Sequence, residues 1–288
     1  MTQNHFQNLP RLKGQLLKWV GNKQRSAPQI IQHFPAHFQT YYEPFLGSGA
    51  VLATLSPSRA VAGDILAPLI DIWQCLRDDP DGLFEAYVAR WQLLMNGEDK
   101  ISAYERIKSR FNQHPNGEDL LFLSRACYGG VVRFRKNGVM STRCGIHEPM
   151  KPRNFARRVR AWHERVQTAE FYHADFQMLM QSAKRGDLVY CDPPYHNAQP
   201  ILYGAQTFSI ERLFSVIEQA HARGVYVALS LNGNKKTSVH TPSLEIPKGL
   251  FQQDIYIPVG RSMLQRFKME GQTLTDENNT ERLLLTYA

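Results

Sequence analysis

The sequence has little or nothing of the features that define several large protein classes. Its 288 residues include four cysteines, and no C-x-x-C pair occurs among them. This argues against a zinc ribbon or a disulfide framework and suits a reducing compartment. No run of roughly 18 apolar residues exists, so we expect no membrane-spanning helix. The opening residues MTQNHFQNLPRLKG lack an apolar signal core. We therefore expect a cytoplasmic protein without a bound metal.

Positive charge is in excess, and it is concentrated in one part of the chain. The formal net charge is +8. Between residues 125 and 160, ten lysines and arginines accompany a single acid, Glu148. Such a segment is typical of proteins that bind nucleic acid, although a solvated basic surface has the same composition.

Strand and helix patterns alternate at both ends of the chain, which predicts an α/β sheet with crossover helices. The stretches DLVYCD (187–192) and VYVALSLN (225–232) are apolar and bounded by glycine or polar residues. This is the pattern of central strands in a parallel sheet.

The middle of the chain differs from its ends, because its periodicity is helical and its residues are more charged. Asn137-Gly138 lies there between two apolar-basic runs, which is a strong hairpin signal. We therefore predict an α/β domain in two parts, 1–71 and 166–288. A mostly helical insertion, 72–165, separates them and carries a β-hairpin.

A glycine-rich turn, EPFLGSG, follows the first predicted strand. Gly47 and Gly49 allow backbone amides to approach a ligand at a helix N-terminus. Asp64 ends the next strand, where a carboxylate can accept both hydroxyls of a ribose. A lone G-x-G is also typical of a structural turn, and the full G-x-G-x-x-G is absent. Together the features indicate a nucleoside cofactor, either a dinucleotide or S-adenosylmethionine.

The stretch CDPPY places an acid, two prolines and a tyrosine at the end of an apolar strand. Pro193 and Pro194 have fixed φ angles, so they stiffen the backbone after Asp192. A carboxylate and the neighbouring Pro193 carbonyl can accept both N–H groups of an exocyclic amine. Tyr195 offers a flat face for the ring that carries this amine. The stretch suits methyl transfer to an aromatic amine, although a proline turn with Asp192 as a helix cap is the simpler alternative.

These motifs together resemble the D12 class of DNA adenine-N6 methyltransferases, the family that includes the Dam methylases. LLKWVGNK resembles the family's opening K-W-x-G-x-K motif. YYEPFLGSGAV resembles its cofactor motif, and CDPPY resembles its catalytic motif. ADF resembles a short motif upstream of the catalytic one, and GGVVRFRKNG resembles the DNA-reading hairpin. One departure is Asn22 in the opening motif, where the family often has a second glycine. We expect the turn to survive, since Asn tolerates left-handed backbone.

The resemblance implies a methyltransferase fold, with a Rossmann-like mixed sheet, S-adenosylmethionine as methyl donor and double-stranded DNA as substrate. It implies a catalytic role for Asp192, Pro193, Pro194 and Tyr195, with Tyr195 stacked on the extruded adenine. The residues expected at the cofactor are Trp19, Lys23, Glu43, Phe45, Gly47, Gly49, Asp64, Asp175, Phe176 and Asp192. Trp19 as a core aromatic, Lys23 as a solvated charge and Asp175 as a helix cap remain alternatives.

The basic insertion is the expected DNA-binding part. The candidate residues are Arg133, Arg135, Lys136, Asn137, Arg143, Lys151, Arg157 and Arg158. Arg133 and Arg135 should share one face of the hairpin, where arginine can bind guanine O6 and N7. Lys151, Arg153, Arg157 and Arg158 are better candidates for contacts to phosphates.

Competing functions are cytosine-N4 methylation and DNA binding by an inactive methylase fold. The aspartate of CDPPY favours adenine, since the cytosine-N4 enzymes usually have serine there. A Pro-Cys nucleophile for cytosine-C5 methylation does not occur in the chain. The D12-like flanks argue against RNA or protein amide methylation. We expect a monomer in solution. The recognition sequence and the biological role, whether restriction-linked, phage or orphan, stay open.

Overall fold

A mixed sheet of seven strands lies at the centre of the protein. The computed structural model describes residues 12–96, 99–194, 208–233, 245–258 and 280–288. The strands are β1 (Tyr41–Glu43), β2 (Ala60–Asp64), β3 (Ala169–His173), β4 (Leu188–Cys191), β5 (Tyr226–Asn232), β6 (Gln253–Pro258) and β7 (Thr280–Leu285). Their order in the sheet is β3-β2-β1-β4-β5-β7-β6.

The strand order creates one natural crevice. Strand β1 pairs in parallel with β2 on one side and with β4 on the other. The order therefore reverses at β1, and ligands bind such sheets at the carboxyl ends of the strands flanking the reversal. Strand β7 runs antiparallel to both β5 and β6 at the far edge. The predicted α/β fold class with a mixed sheet is confirmed.

Helices cover both faces of this sheet and fill the chain between β2 and β3. They are α1 (Ala27–Ile31), α2 (Ala50–Leu55), α3 (Ala67–Asp78), α4 (Pro80–Met95), α5 (Lys100–Gln113), α6 (Gly117–Ala126), α7 (Pro152–Val166), α8 (Phe176–Ser182) and α9 (Ile210–Ala222). A 3₁₀ turn spans Tyr128–Gly130. None of the helices in the described ranges is long and apolar enough to cross a membrane.

Each inner strand contributes side chains to two separate cores, because successive residues of a strand point to opposite faces. Tyr41 and Tyr190 belong to the larger core, which also contains residues of α1 to α7. Tyr42 and Val189 belong to the smaller core beneath α8 and α9. The strands read as continuous apolar runs because both faces are buried.

The helices between β2 and β3 are joined by a buried ion cluster. The carboxylate of Asp119 on α6 is fully buried. It accepts hydrogen bonds from Nε of Arg90 on α4 at 2.6 Å and from Nε of Arg110 on α5 at 2.8 Å. Asn116 Nδ2 donates a further bond at 3.0 Å. Three helices therefore share one carboxylate, which fixes their relative positions.

The predicted hairpin is present. Arg135 N donates to Val139 O at 2.8 Å and Ser141 N to Arg133 O at 2.9 Å. Phe134 pairs with Met140, and both side chains are buried. Because residues alternate in such a ribbon, Arg133 and Arg135 lie exposed on its other face, as predicted.

The segment before α1 is held in place by the basic part of the chain. Arg125 Nη1 donates to the carbonyls of Gln15 and Leu16 at 2.9 and 2.8 Å. Arg158 Nη1 donates to Gln15 O at 2.8 Å. Part of the positive charge noted in the sequence thus anchors this segment rather than facing solvent.

The turn that follows this segment uses one left-handed residue only. Gly21 has a φ of 77°, whereas no positive φ is found at Asn22. Asn22 Oδ1 instead accepts from Gln24 N at 2.7 Å. The turn does survive the departure from the family motif, but through a side-chain hydrogen bond rather than through left-handed backbone.

The predicted domain boundaries fall inside helices. Residue 72 lies within α3 and residue 165 within α7. Both helices pack on the sheet side, since Trp73 contacts Trp162 and Phe171 of β3. The division into a two-part catalytic domain and an insertion stays a prediction, with α4, α5, α6 and the hairpin as its clearest members.

The Asp119 cluster generates a stability prediction. Asp119→Asn leaves the buried guanidinium of Arg90 and the half-exposed one of Arg110 facing a neutral amide, and we expect a loss of about 3 kcal/mol in the free energy of unfolding. Denaturant titration followed by circular dichroism measures this. The control is Glu118→Gln, whose side chain is half exposed in its pair with Arg90; it should cost less than about 1 kcal/mol. Equal, small losses in both variants would contradict the role of the cluster.

Candidate active site

Four acidic residues meet where the parallel strands end. Glu43 and Asp64 end β1 and β2, Asp175 follows β3 by two residues, and Asp192 directly follows β4. All four line one cavity of about 940 Å³, including the open solvent at its mouth. This is the crevice expected from the strand order.

Lys23 joins the segment before α1 to the end of β4. Its Nζ donates to Asp192 Oδ1 at 2.7 Å and lies 3.3 Å from Glu281 Oε1 on β7. Only 7% of the Lys23 side chain and 18% of the Asp192 side chain are exposed. The ammonium therefore fixes the position of a largely buried carboxylate, and the alternative of a solvated lysine is excluded.

Glu43 lies beneath this pair in a fully enclosed position. Its Oε2 accepts from Tyr41 Oη at 2.7 Å and from Leu52 N at 2.9 Å. Burial raises the pKa of Glu43 to about 8, and the nearby charge of Asp192 acts in the same direction, whereas these hydrogen bonds and Lys23 oppose the rise. The carboxyl group is therefore mostly protonated at neutral pH.

The glycine-rich turn is fastened to the second acid. Gly47 N donates to Asp64 Oδ2 at 3.1 Å, and Leu66 N donates to Asp64 Oδ1 at 3.1 Å. Gly47 has a φ of 47°, and a Cβ there would come within 3.3 Å of the Trp19 ring. A side chain at this position would therefore be strained and would crowd the cavity wall.

The far end of the cavity is aromatic. Phe45 stacks on Phe176 with centroids 5.1 Å apart, and Phe208 lies edge-on to both rings. Asp175 caps α8 by accepting from Gln177 N at 2.9 Å, and it also pairs with Arg212 of α9. Asp175 is thus a helix cap and a cavity residue at once.

The cavity wall contains most of the residues predicted to bind cofactor or target. Those on the wall are Trp19, Lys23, Glu43, Phe45, Gly47, Asp64, Asp175, Phe176, Asp192, Pro193 and Pro194. Gly49 lies instead at the N-cap of α2, where a Cβ would come within 2.7 Å of Trp73. Tyr195 lies outside the described residues.

Phe208, Arg212 and Glu281 are among the cavity or ion-pair residues that were not predicted from the sequence. Phe208 and Arg212 lie just before and within the first turn of α9, and Glu281 lies on β7. Arg212 occupies what looks like a solvent-facing position of an amphipathic helix, so its sequence context gave no signal. Glu281 lies close to Lys23 because of the order of the strands in the sheet, and the sequence did not reveal this order.

The predicted DNA-binding residues are mostly exposed. Arg133, Arg135, Lys136, Asn137, Arg143, Lys151 and Arg157 all lie at the surface. The Arg143 guanidinium lies 4.3 Å from the centre of the Tyr128 ring. Arg158 differs, because its guanidinium packs against Gly14 and burial lowers its pKa. We therefore do not include Arg158 in the surface available to phosphates.

No group of three or more His, Cys, Asp or Glu side chains arranged to hold a metal ion is present in the part of the chain that the structure describes. The four cysteines are free thiols, and Cys191 is buried beside the cavity rather than on its wall. The polar and aromatic groups on the cavity wall include the four acids, Lys23, Arg212 and the phenylalanine rings.

Comparison with known proteins agrees with the motifs. The family model for the D12 class N6 adenine-specific DNA methyltransferase matches residues 19–249. The retron Ec67 DNA adenine methylase of Escherichia coli is 34% identical over 188 residues, which are 62% of this chain and 63% of that protein. The DNA adenine methylase of Salmonella typhi is 30% identical over 212 residues, 71% of this chain and 72% of that one.

Other matches differ more in length or in sequence. The DNA N-6-adenine-methyltransferase of Escherichia phage P1 is 28% identical over 76% of this chain, but the match spans 30% of the phage protein. The chain thus spans between about a third and two thirds of the first two relatives. A solved rRNA methyltransferase, aviRa from Streptomyces viridochromogenes, aligns with 95% of this chain and 90% of its own at 12% identity and a TM-score of 0.37.

The raised pKa of Glu43 predicts how stability depends on pH. A glutamate in the unfolded chain titrates near pH 4.3, but Glu43 in the folded protein titrates near 8. Between these two pH values Glu43 keeps its proton in the folded state but not in the unfolded state. The stability that comes from this bound proton is therefore lost as the pH rises. The free energy of unfolding should fall by on the order of 1 kcal/mol per pH unit relative to Glu43→Gln.

Denaturant titrations of both proteins from about pH 5 to about pH 8 measure this difference. Glutamine keeps an oxygen that can accept from Tyr41 and Leu52, so the packing is matched. Parallel pH curves for the two proteins would show that Glu43 ionises normally in the folded state.

Proposed function

Because the chain belongs to the D12 class of N6 adenine-specific DNA methyltransferases, we propose that it transfers a methyl group from S-adenosylmethionine to the N6 amine of an adenine in duplex DNA. One observation above all supports this. Asp192 stands at the end of β4 on the cavity wall, fixed by Lys23 at 2.7 Å and followed by Pro193 and Pro194.

The residues of the cavity fit S-adenosylmethionine. Asp64 lies at the end of β2, where a carboxylate can accept from the ribose hydroxyls. The aromatic residues and Asp175 beyond it suit an adenine ring and its amine. Gly47 leaves room beside Trp19 that a side chain would fill. The bound cofactor would supply an electrophilic methyl group at the Lys23 end of the cavity.

The chain's own residues would hold the target amine. Lys23 occupies one oxygen of Asp192, and a carboxylate can accept several hydrogen bonds at once. Asp192 and the carbonyl of Pro193 would accept the two N–H groups of the adenine amine. These bonds draw the nitrogen lone pair out of conjugation with the ring and aim it at the methyl carbon. The rate gain then comes from positioning and electrostatics. Tyr195 would stack on the adenine.

A base inside a duplex cannot reach this crevice, so the adenine must leave the stack. The exposed basic residues of the hairpin and of α7 would provide the compensating contacts to DNA. Arg133 and Arg135 share the outer face of the hairpin and would read bases, whereas Lys151 and Arg157 would contact phosphates. We also propose a cytoplasmic location, a monomeric state in solution, and a catalytic domain in two parts that the insertion at 72–165 separates.

The central test removes the charge of Asp192. Asp192→Asn should lower the rate of methyl transfer by at least about a hundredfold, because an anionic acceptor for the amine is lost. Purified protein, methyl-labelled S-adenosylmethionine and duplex DNA are incubated, and the DNA is hydrolysed to identify the labelled base. Wild-type protein should yield N6-methyladenine.

The matched control is Asp254→Asn, an exposed acid paired with Arg282 on β6 and β7. Its rate should equal that of the wild type. Label in N4-methylcytosine would replace the proposed function with the cytosine-N4 alternative. Absence of any label with wild-type protein that binds DNA would favour an inactive DNA-binding protein.

Substitutions in the hairpin and in α7 should affect DNA binding in different ways. Arg135→Ala should reduce discrimination between the target site and other sequences by about 1–3 kcal/mol, because a base contact is lost. Arg157→Ala should weaken binding to all sequences and lower the salt slope by about one. Fluorescence anisotropy with the mapped target duplex and a scrambled duplex, at several salt concentrations, measures both. Uniform affinity loss in the two variants would show that the hairpin does not read bases.

A further inference from the structure

The outer edge of the hairpin is paired with side chains of α5 rather than with a third strand. The hairpin's own backbone hydrogen bonds flank Met140 on both sides, at Val139 and Ser141. The backbone N–H and C=O of Met140 therefore point away from the partner strand. A hairpin of two strands is marginally stable at best by itself. Its outer edge needs hydrogen-bonding partners from another part of the protein.

Asn112 of α5 pairs with this edge as a neighbouring strand would. Met140 N donates to Asn112 Oδ1 at 2.8 Å, and Asn112 Nδ2 donates to Met140 O at 3.1 Å. The side-chain amide thus exchanges two hydrogen bonds with a single residue. Directly opposed residues of antiparallel strands exchange the same two bonds.

Three more side chains of α5 continue this contact. Tyr104 Oη and Lys108 Nζ donate to Thr142 O at 2.9 and 3.4 Å. Lys100 Nζ donates to the carbonyls of residues 145–147 at 2.9, 3.0 and 3.0 Å. These side chains and Asn112 follow one another at intervals of four residues, which places them along one side of the helix. A stripe of α5 therefore holds the strand after the turn and the chain beyond it.

The strand before the turn, which carries Arg133 and Arg135, is held on the same helix. The buried ring of Phe134, between these two arginines, lies 6.4 Å from the ring of Phe111 on α5, centre to centre. Thr142 Oγ1 accepts from Arg133 N at 2.9 Å and so joins the two strands. Both exposed arginines thus project from a ribbon whose buried face and outer edge are fixed on α5.

We propose that Asn112 is a positioning residue for DNA recognition, which acts by fixing the hairpin on α5 before DNA binds. This rests on the proposed function, in which Arg133 and Arg135 read bases. A hairpin that is fixed in advance loses less conformational entropy on binding, so more of the energy of the base contacts appears as affinity. The phosphate contacts proposed for Lys151 and Arg157 do not depend on the hairpin.

Fluorescence anisotropy with two duplexes tests the proposal. One is the duplex that the wild-type protein methylates, and the other has a scrambled sequence. Asn112→Leu keeps the approximate size of the side chain and removes both hydrogen bonds to Met140. It should weaken binding to the target duplex about tenfold and leave binding to the scrambled duplex unchanged. Tyr104→Phe, which removes the bond to Thr142 O, should act in the same direction by a smaller factor.

The matched control is Gln113→Leu, which replaces an amide by leucine at the next position of α5. The exposed Gln113 amide donates to Ser109 Oγ of the same helix at 3.3 Å. This variant should bind both duplexes as the wild type does.

A combined variant separates positioning from a general structural role. If Asn112 acts through Arg133 and Arg135, replacing both arginines by alanine removes what it positions. In that background Asn112→Leu should cause no further loss of discrimination between the two duplexes. Affinity for S-adenosylhomocysteine, measured by calorimetry, should be the same with and without Asn112→Leu.

Unchanged affinity of Asn112→Leu for the target duplex would overturn the inference, and so would equal losses on both duplexes. A further loss of discrimination in the absence of the two arginines, or a loss of affinity for S-adenosylhomocysteine, would also overturn it. In these cases the proposed function stands, because the wild type still methylates and discriminates. A wild-type protein that binds both duplexes equally would instead overturn the proposed reading of bases by the hairpin, and the inference with it.

Discussion

The ion pair between Lys23 and Asp192 is the contact on which the site depends. It joins two parts of the chain that are far apart in sequence, at an Nζ to Oδ1 distance of 2.7 Å. A buried pair of this kind is costly to break, because removal of one partner leaves the other charge without compensation. Glu281 lies next to the same ammonium, and Glu43 lies close enough for Lys23 to affect its pKa. Keeping Glu43 protonated limits the negative charge gathered around a single lysine.

The sheet topology explains why these groups meet. The order of strands reverses at β1, so the ends of β1, β2 and β4 open into the same crevice. Each of these strands ends in or is followed by an acid, and the glycine-rich turn is fastened to one of them by the bond from Gly47 N to Asp64 Oδ2. The basic segment contributes from outside, since Arg125 holds the backbone that carries Trp19 and Lys23. Part of the positive charge of this segment is thus used to build the cavity rather than left on the surface.

Local sequence signals predicted much of this arrangement, and long-range contacts account for the rest. The α/β class followed from periodicity and the hairpin from the Asn137-Gly138 turn signal, whereas the family and the grouping of the four acids followed from the resemblance of short motifs to the D12 class. Gly49 and Arg158 show where such signals mislead: the glycine makes room for Trp73 and the arginine packs on Gly14. Arg212 was missed because its partners, Asp175 and Phe176, lie on another helix. The spacing of residues along α9 does not reveal which side chains of α8 lie opposite it.

A double-mutant cycle of Lys23 and Asp192 tests the central claim most directly. Single-turnover rates of methyl transfer are measured for wild type, Lys23→Met, Asp192→Asn and the double variant, with labelled cofactor in excess. If Lys23 acts by fixing Asp192, the double variant should be no slower than the slower single variant. Rate losses that multiply in the double variant would show that the two residues act independently, and would contradict the account.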